Sequence, residues 1–468
     1  MSDTQLADDD KSEKNDHLNM QQLSRLTLNG ENTILKEQDK FDTPTLDYLQ
    51  SCVEELYTFH KNSFERNPEK VSYDKEVLNE KIKQVTALMK QNEESAISEN
   101  KAQYYFLLGR TWSVTQPVSQ ECINVLSKAV KLNPTHLDAW NSLGECLVHL
   151  KRFSEAKYCF LASLKHGKSQ VILRNLSIIM REAQLLTNEN VHESLNAGIE
   201  YAKEAVELDS TDGESWAILG NAYLSLFFRK QDDKLLRQSI NAFEKALNDS
   251  VAAQNADLHF NRGIALKYGE MYTDALLSFE KATILDPKWT EARETLEDLI
   301  KYITSTQTLY QRKGQLKSRR LQQMTDSLNT SCLGIYSTKI KTIRGQVMLE
   351  HIPLSKLEIG LNANKVVCGR VVCVVYSQEP VPYTFCLVDK ELSCIVVSVY
   401  NLAQGRGPII GDSVAIPEPY MTHIDATYKN QKFQYPSLRV NLPLTMVVNK
   451  KSVSAECVSQ PQFMSKQF

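Results

Sequence analysis

Four carboxylates and two guanidiniums carry most of the recognition chemistry legible in this sequence. Asp257 and Glu291 stand 34 residues apart, and Asp138 and Glu214 precede them in similar local surroundings. If the chain repeats with that period, Asp257 and Glu291 occupy equivalent places on adjacent elements and can share one cationic ligand group. Arg174 and Arg181 supply positive charge one stretch earlier, and Asn141, Asn175, Asn221 and Asn261 add neutral donors and acceptors nearby. An extended peptide with one acidic and one basic side chain suits such a set, each charge-assisted hydrogen bond contributing about 1.5–3 kcal/mol. The plainer alternative is that the acids sit in first helical turns, where the helix dipole favours them.

A second group is cationic. Arg312, Lys313, Lys317, Arg319 and Arg320 fall within nine residues, and no acid occurs from Ser305 to Thr325. On a helix, Lys313, Lys317 and Arg320 would share one face, which suits phosphate backbones bound without regard to sequence. A nuclear-localisation signal or a solvated connector remains the alternative. Catalytic patterns are weak. Gly167-Lys168-Ser169 resembles the end of a phosphate loop, but Ala162 stands where the first glycine is required. Gly405-Arg406-Gly407 is a lone pair of glycines, the nine histidines show no metal spacing, and no serine lies in a nucleophile elbow. The chain therefore reads as a non-enzyme without cofactor or metal.

The elements that position these groups are given by a repeat. Trp140, Leu143-Gly144, Leu147, Ala156 and Phe160 recur as Trp216, Leu219-Gly220, Tyr223, Phe243 and Ala246, and as Gly263, Leu266, Ala275, Phe279, Ala282 and Pro287. Leu108-Gly109, Trp112, Ala129 and Pro134 give a further copy, and residues 170–209 a degenerate one with a longer loop. This is the tetratricopeptide pattern of paired helices, about 34 residues per unit, in which no unit buries its apolar face alone. Two amphipathic helices between Pro44 and Glu99 precede the units, and a helix from Trp289 to Gln311 closes the stack. We expect a disordered acidic tail over 1–43, a solenoid of about six helix pairs over 44–311, and a basic connector over 312–329.

From residue 330 the apolar period shortens. Val366-Val367, 370–376, 383–388, 394–400, 412–416 and 438–442 read as strands, bent by Gly369, Gly405, Gly407 and Gly411. We expect an OB-like β-barrel over 330–452 and a tail over 453–468, with another small barrel or sandwich as the alternative. Tyr376, Tyr383, Phe385, Tyr400, Tyr428, Phe433 and Tyr435 are candidates for stacking on bases, although most are expected to serve the core. Residues 301–468 hold 20 Lys and Arg against 10 Asp and Glu, leaving 34 against 47 in residues 1–300, so the two halves face different partners. Ten scattered cysteines without a CxxC pair suggest reduced, mostly buried thiols. With no secretory or membrane-spanning segment apparent, a soluble intracellular protein is expected.

The order of repeats, basic connector and barrel, with the run Ile410-Gly411-Asp412-Ser413-Val414-Ala415-Ile416-Pro417-Glu418-Pro419, resembles the tetratricopeptide repeat protein 5 family, also known as stress-responsive activators. Further likeness lies in Ala139-Trp140-Asn141, Ser215-Trp216 with Ile218–Asn221, and Asp257-Leu258-His259 with Asn261-Arg262. The resemblance implies a ribosome-associated factor in tubulin autoregulation. Such a factor reads the Met-Arg-Glu start of nascent α- and β-tubulin and, through an adaptor, recruits a deadenylase that degrades the mRNA. Carried over by position, Arg181 would pair with the nascent Glu, Asp257 and Glu291 would receive the nascent Arg, and Lys313, Lys317 and Arg319 would face ribosomal RNA. The family is also described as a cytoplasmic and nuclear scaffold that bridges a histone acetyltransferase and an actin-nucleating coactivator in stress and DNA-damage responses. This chain departs from the pattern in a longer acidic tail and in Arg for Lys at 319, which keeps the charge.

Overall fold

The structure is a computed structural model that describes residues 45–66, 71–115, 117–182, 191–342, 345–377 and 381–459. The acidic tail, the Asn67-Pro68 break, the long loop of the degenerate unit and the last nine residues of the C-terminal tail lie outside them. Fourteen α-helices precede the strands among the described residues. Helices α1 (Thr45–Arg66) and α2 (Val71–Gln91) open the stack, followed by α3 (Glu93–Ser113) and α4 (Gln120–Leu132), α5 (Leu137–His149) and α6 (Phe153–Leu164). Then come α7 (Gln170–Glu182) and α8 (Val191–Leu208), α9 (Gly213–Lys230) and α10 (Asp233–Ala246), α11 (Ala256–Tyr268) and α12 (Tyr272–Leu285), and the long α13 (Thr290–Gln311).

The repeat signature has a direct steric cause. A Cβ built on Gly109 would lie 2.5 Å from Leu126, and one on Gly220 or Gly263 would lie 2.6 Å from the ring of Phe243 or Phe279. Gly144 stands against Phe160 in the same way. Each first helix thus uses its glycine to admit a large apolar side chain of the second helix. In the degenerate unit the roles are exchanged: Ser177 replaces the glycine, and a Cβ built on Gly198 of α8 would lie 3.3 Å from Met180 Cβ and from the Ser177 carbonyl. The extra residues after Tyr223 prolong α9 as helix to Lys230, which buries Leu224, Leu226, Phe227 and Phe228.

The basic segment does not form one helix. Its backbone turns through Lys313, Gly314 and Gln315, with φ of 45°, 70° and 61°, before α14 (Ser318–Asp326) begins. Gly314 rests on the backbone of Val372, where a Cβ has no room. The expectation that Lys313, Lys317 and Arg320 share a helical face is therefore corrected: the left-handed turn separates Lys313 from the other two, and Lys317 is the N-cap of α14.

The strands are β1 (Ile340–Thr342), β2 (Gly345–Val347), β3 (Glu350–His351), β4 (Gly360–Leu361), β5 (Lys365–Val375), β6 (Tyr383–Val388), β7 (Cys394–Val399), β8 (Ser413–Pro417), β9 (Tyr420–Tyr428), β10 (Gln431–Val440), β11 (Val447–Val448) and β12 (Lys451–Ser452). Strands β1 and β2 form a separate hairpin. The main sheet runs β8-β5-β6-β7-β10-β9, with β7 and β10 parallel and the other neighbours antiparallel. Only Glu418 and Pro419 separate β8 from β9, so one bent strand stands at both ends of this path and closes it into an OB-type barrel. Val367, Val371, Phe385, Leu387, Ile395, Val397, Val414, Ile416 and Leu438 fill the interior.

The outer face of the barrel is covered as well. Cys373, Val375, Cys386, Val388, Val396, Ile424, Tyr428, Phe433 and Tyr435 belong to one apolar cluster with Leu276 and Phe279 of α12 and Leu299, Tyr302 and Ile303 of α13. Strand β6 is consequently buried on both faces, and its sequence shows no alternation. This agrees with the expectation that most of the aromatic residues serve the core. Phe385 lies in the barrel interior, while Tyr400, Tyr428, Phe433 and Tyr435 are buried. Tyr383 spends its hydroxyl on the Pro408 carbonyl at 2.7 Å, and only Tyr376 is largely exposed, at 84%.

Polar groups lock this junction. Glu270, in the turn between α11 and α12, accepts from the Tyr400 hydroxyl at 3.0 Å and the Thr422 hydroxyl at 3.4 Å. Arg439 Nη1 lies 3.4 Å from the same carboxylate and donates to the Tyr268 carbonyl at 2.8 Å, with the guanidinium 4.0 Å over the Tyr400 ring. Gln307 of α13 accepts from the Gln434 N–H at 2.6 Å, and Tyr302 and Thr384 share a hydrogen bond of 2.9 Å. Because the Glu270 and Arg439 side chains are only 5% and 11% exposed, removing one partner leaves a buried charge. Arg439→Met or Glu270→Gln alone is expected to lower unfolding stability by about 3–5 kcal/mol. The double variant should recover much of that loss, as read from denaturant unfolding in a double-mutant cycle.

Candidate peptide groove and basic face

The first helices of successive units stand side by side, and polar side chains link them. Asn141 on α5 donates to Glu145 Oε1 at 2.9 Å; Asn175 on α7 donates to Asn141 Oδ1 at 2.9 Å and to Glu145 Oε1 at 3.3 Å. Arg174 bridges from α7 to α9, with Nη1 2.7 Å from Asp212 and Nη2 2.9 Å from Glu214. Asp212 is also the N-cap of α9, accepting from the Ser215 N–H at 3.1 Å. A continuous polar track therefore crosses three successive first helices.

This track alters the expected charge of the groove. Arg174 is neutralised by two carboxylates of the next unit, so it braces α7 against α9. Burial pushes the Glu214 carboxyl up, Arg174 opposes that, and Asp212, Glu145 and Asp249 add to the rise. The remaining guanidinium, Arg181, lies in the last turn of α7 and is 2% exposed. Burial lowers it to about 10, with Glu182 acting in the opposite sense, so it is charged at neutral pH.

Asp138, Glu214, Asp257 and Glu291 are each the second residue of α5, α9, α11 and α13. They hold equivalent places along the column of first helices, where the helix dipole also favours a carboxylate. Asp257 is half-buried and Glu291 exposed. Asn221 and Asn261 are buried on α9 and α11, and the Asn221 Oδ1 accepts no hydrogen bond among the described residues.

The five cations of the basic segment divide. Lys313 is half-buried and its Nζ donates to the Leu392 carbonyl at 2.7 Å, which ties the turn to the barrel. Arg312, Lys317, Arg319 and Arg320 are exposed, and their side chains form no ion pair among the described residues. Arg370 of β5 fixes the far end of α14, donating to the Met324 carbonyl at 3.3 Å and the Ser327 hydroxyl at 2.7 Å. No group of three or more His, Cys, Asp or Glu among the described residues is arranged to hold a metal ion. No helix among them is long and apolar enough to cross a membrane.

Sequence reasoning overlooked Glu145 and Asp212. Asn141 and Glu145 are four residues apart on one helix, the spacing of facing side chains, and Asp212 directly precedes a helix start, the position of an N-cap. Both signals were present. Replacing Arg174 by Met should cost about 1–2 kcal/mol of stability at pH 7, after allowance for the half-exposed Glu214. A carboxyl raised by folding destabilises the fold while ionised and ceases to do so as pH falls through its folded-state value. The Arg174→Met deficit should therefore shrink on acidification in denaturant titrations.

Comparison with known proteins agrees with this architecture. Residues 348–462 match the family model described as the tetratricopeptide repeat protein 5 OB fold domain. The chain is 37% identical to tetratricopeptide repeat protein 5 of Mus musculus over 440 residues, covering 92% of this chain and all of that one. It is 37% identical to the Homo sapiens protein of the same name over 423 residues, covering 89% and 96%. Among solved structures, YrrB, a tetratricopeptide protein with an unusual peptide-binding site, is 22% identical with a TM-score of 0.32, covering 43% of this chain and 96% of its own. With the repeats, the barrel and near-complete coverage of these relatives in agreement, the chain belongs to the tetratricopeptide repeat protein 5 family.

Proposed function

We propose that this protein is a ribosome-associated adaptor that reads the Met-Arg-Glu N-terminus of nascent tubulins in its solenoid groove. Through a further adaptor that recruits a deadenylase, it directs decay of the tubulin mRNA. The observation that carries the reading is the matched pair of acids, Asp257 and Glu291, each at the second residue of its helix on α11 and α13. In this reading they take the nascent arginine from two sides, and Arg181 pairs with the nascent glutamate. With Arg174 engaged by Asp212 and Glu214, it and Asn175 shape the groove by holding neighbouring helices in register.

The basic face supports the second half of the reading. Arg312, Lys317, Arg319 and Arg320 present exposed charge suited to ribosomal RNA phosphates. Lys313, bonded to Leu392, anchors the turn that presents them.

Two measurements separate these roles. Arg181→Glu and, independently, Asp257→Lys with Glu291→Lys should lower affinity for a Met-Arg-Glu peptide at least tenfold by calorimetry. Both should leave ribosome co-sedimentation unchanged, and unaltered peptide affinity in folded variants would refute the groove assignment. Conversely, Lys317→Glu with Arg319→Glu should release the protein from ribosomes at moderate salt and preserve peptide binding. Persistent co-sedimentation would remove the basic face from the account.

A further inference from the structure

Three cysteines meet on one face of the barrel. Cys373 of β5 is the direct cross-strand partner of Cys386 on β6. Cys386 pairs with Val396 on β7, which makes Cys394, two residues away, its diagonal neighbour on the same face. A bulge between Val371 and Cys373 turns Cys373 away from the barrel interior and onto this face. Cys373 and Cys386 are buried, whereas Cys394 is half-buried and lines an open cavity of about 510 Å³, together with Tyr310, Gln311 and Lys313. Hydrogen bonding to Cys373 and then to Cys394, with burial, pushes the Cys386 thiol well up. Cys373 is held below its ordinary value chiefly by its hydrogen bond with Cys386, although burial opposes this.

We propose that Cys394, Cys386 and Cys373 form a thiol relay oxidised by hydroperoxides, in which Cys394 is the entry thiol and a Cys373–Cys386 disulfide is the product. The Cys394 thiolate attacks the peroxide, its sulfur becomes a sulfenic acid and the O–O bond breaks, releasing water from hydrogen peroxide. The Cys386 thiol then attacks that sulfur and passes its proton to the departing oxygen, forming an S–S bond and expelling the oxygen as a second water. Finally the Cys373 thiolate attacks Cys386 and returns Cys394 as a thiolate. Two thiols are oxidised and one peroxide is reduced.

Geometry dictates the end point. Directly opposed residues in antiparallel strands lie about 4.5–5.5 Å apart at Cα, inside the range of about 4.4–6.8 Å that disulfides use. Diagonal neighbours lie about 7–8 Å apart. The first bond lies outside that range and forms only as β6 and β7 shift toward each other, and exchange to the opposed pair releases that strain. The site adjoins the basic turn, since a Cβ on Gly314 would lie 3.1 Å from Cys373 Cβ. Cys122 and Cys146 have sulfurs 3.8 Å apart, but both are buried in the solenoid and serve as an internal comparison.

The test treats the full-length protein with hydrogen peroxide under native conditions and follows thiol loss by differential alkylation and peptide mass spectrometry. Cys394 should be the first thiol lost, followed by a Cys373–Cys386 disulfide that dithiothreitol reverses. Cys394→Ser should slow its appearance at least tenfold, and Cys373→Ser should halt the relay at Cys386–Cys394. The proposal is overturned if Cys122–Cys146 oxidises as fast, if Cys394 ends as sulfinic acid without a disulfide, or if Cys394→Ser leaves the disulfide rate unchanged. The order of thiol loss in the unaltered protein requires no variant to fold.

Discussion

The buried contact of Glu270 with Arg439 and Tyr400 is the constraint from which the layout of this molecule follows. Glu270 sits in the tight turn that joins α11 to α12, and Arg439 and Tyr400 belong to the barrel. A charge this deep is tolerated only when both partners are held in place. The last repeat and α13 therefore cannot pivot against the barrel without exposing that pair and the apolar face around Tyr302 and Tyr435. Groove and basic face are fixed in one frame, because α13 carries Glu291 near its start and leads into the cationic turn at its end.

Within that frame, several of the polar side chains on the first helices are spent on architecture. Arg174 forms ion pairs with Asp212 and Glu214 across two units, and Asn141, Asn175 and Glu145 link adjacent first helices by hydrogen bonds one unit earlier. In a solenoid each repeat contacts only its neighbours, so such bridges act between adjacent units. Glu214, Asp257 and Glu291 hold equivalent positions on three consecutive first helices, and the last two lie toward the end that the barrel holds fixed.

Much of the solenoid was legible in the sequence because its packing rule is local: a glycine on one helix faces a large apolar residue on the next, as with Gly220 and Phe243. The barrel was legible only in part. The β9–β10 hairpin was read only at the end of its second strand, over 438–442, because His423, Asp425, Thr427, Lys432 and Gln434 interrupt its apolar run and its turn is Lys429-Asn430, both at positive φ, in place of Asn-Gly. The left-handed turn at Gly314 was hidden for a different reason. Cation spacing suggests a helix, and only the backbone of Val372, a contact between distant parts of the chain, shows why none forms there. Glu270 has no local signature at all, since its partners lie more than a hundred residues away.

The central claim is that one rigid body engages the ribosome and the first residues of a nascent chain together. The most direct measurement places a photo-crosslinker beside the N-terminus of stalled nascent chains and compares Met-Arg-Glu with the charge-swapped Met-Glu-Arg on otherwise identical ribosomes. The account predicts crosslinks to the segment spanning α11 to α13 with the first sequence and at least a tenfold loss with the second, at equal ribosome occupancy. Equal crosslinking from both sequences, or crosslinks confined to the outer helices, would contradict it.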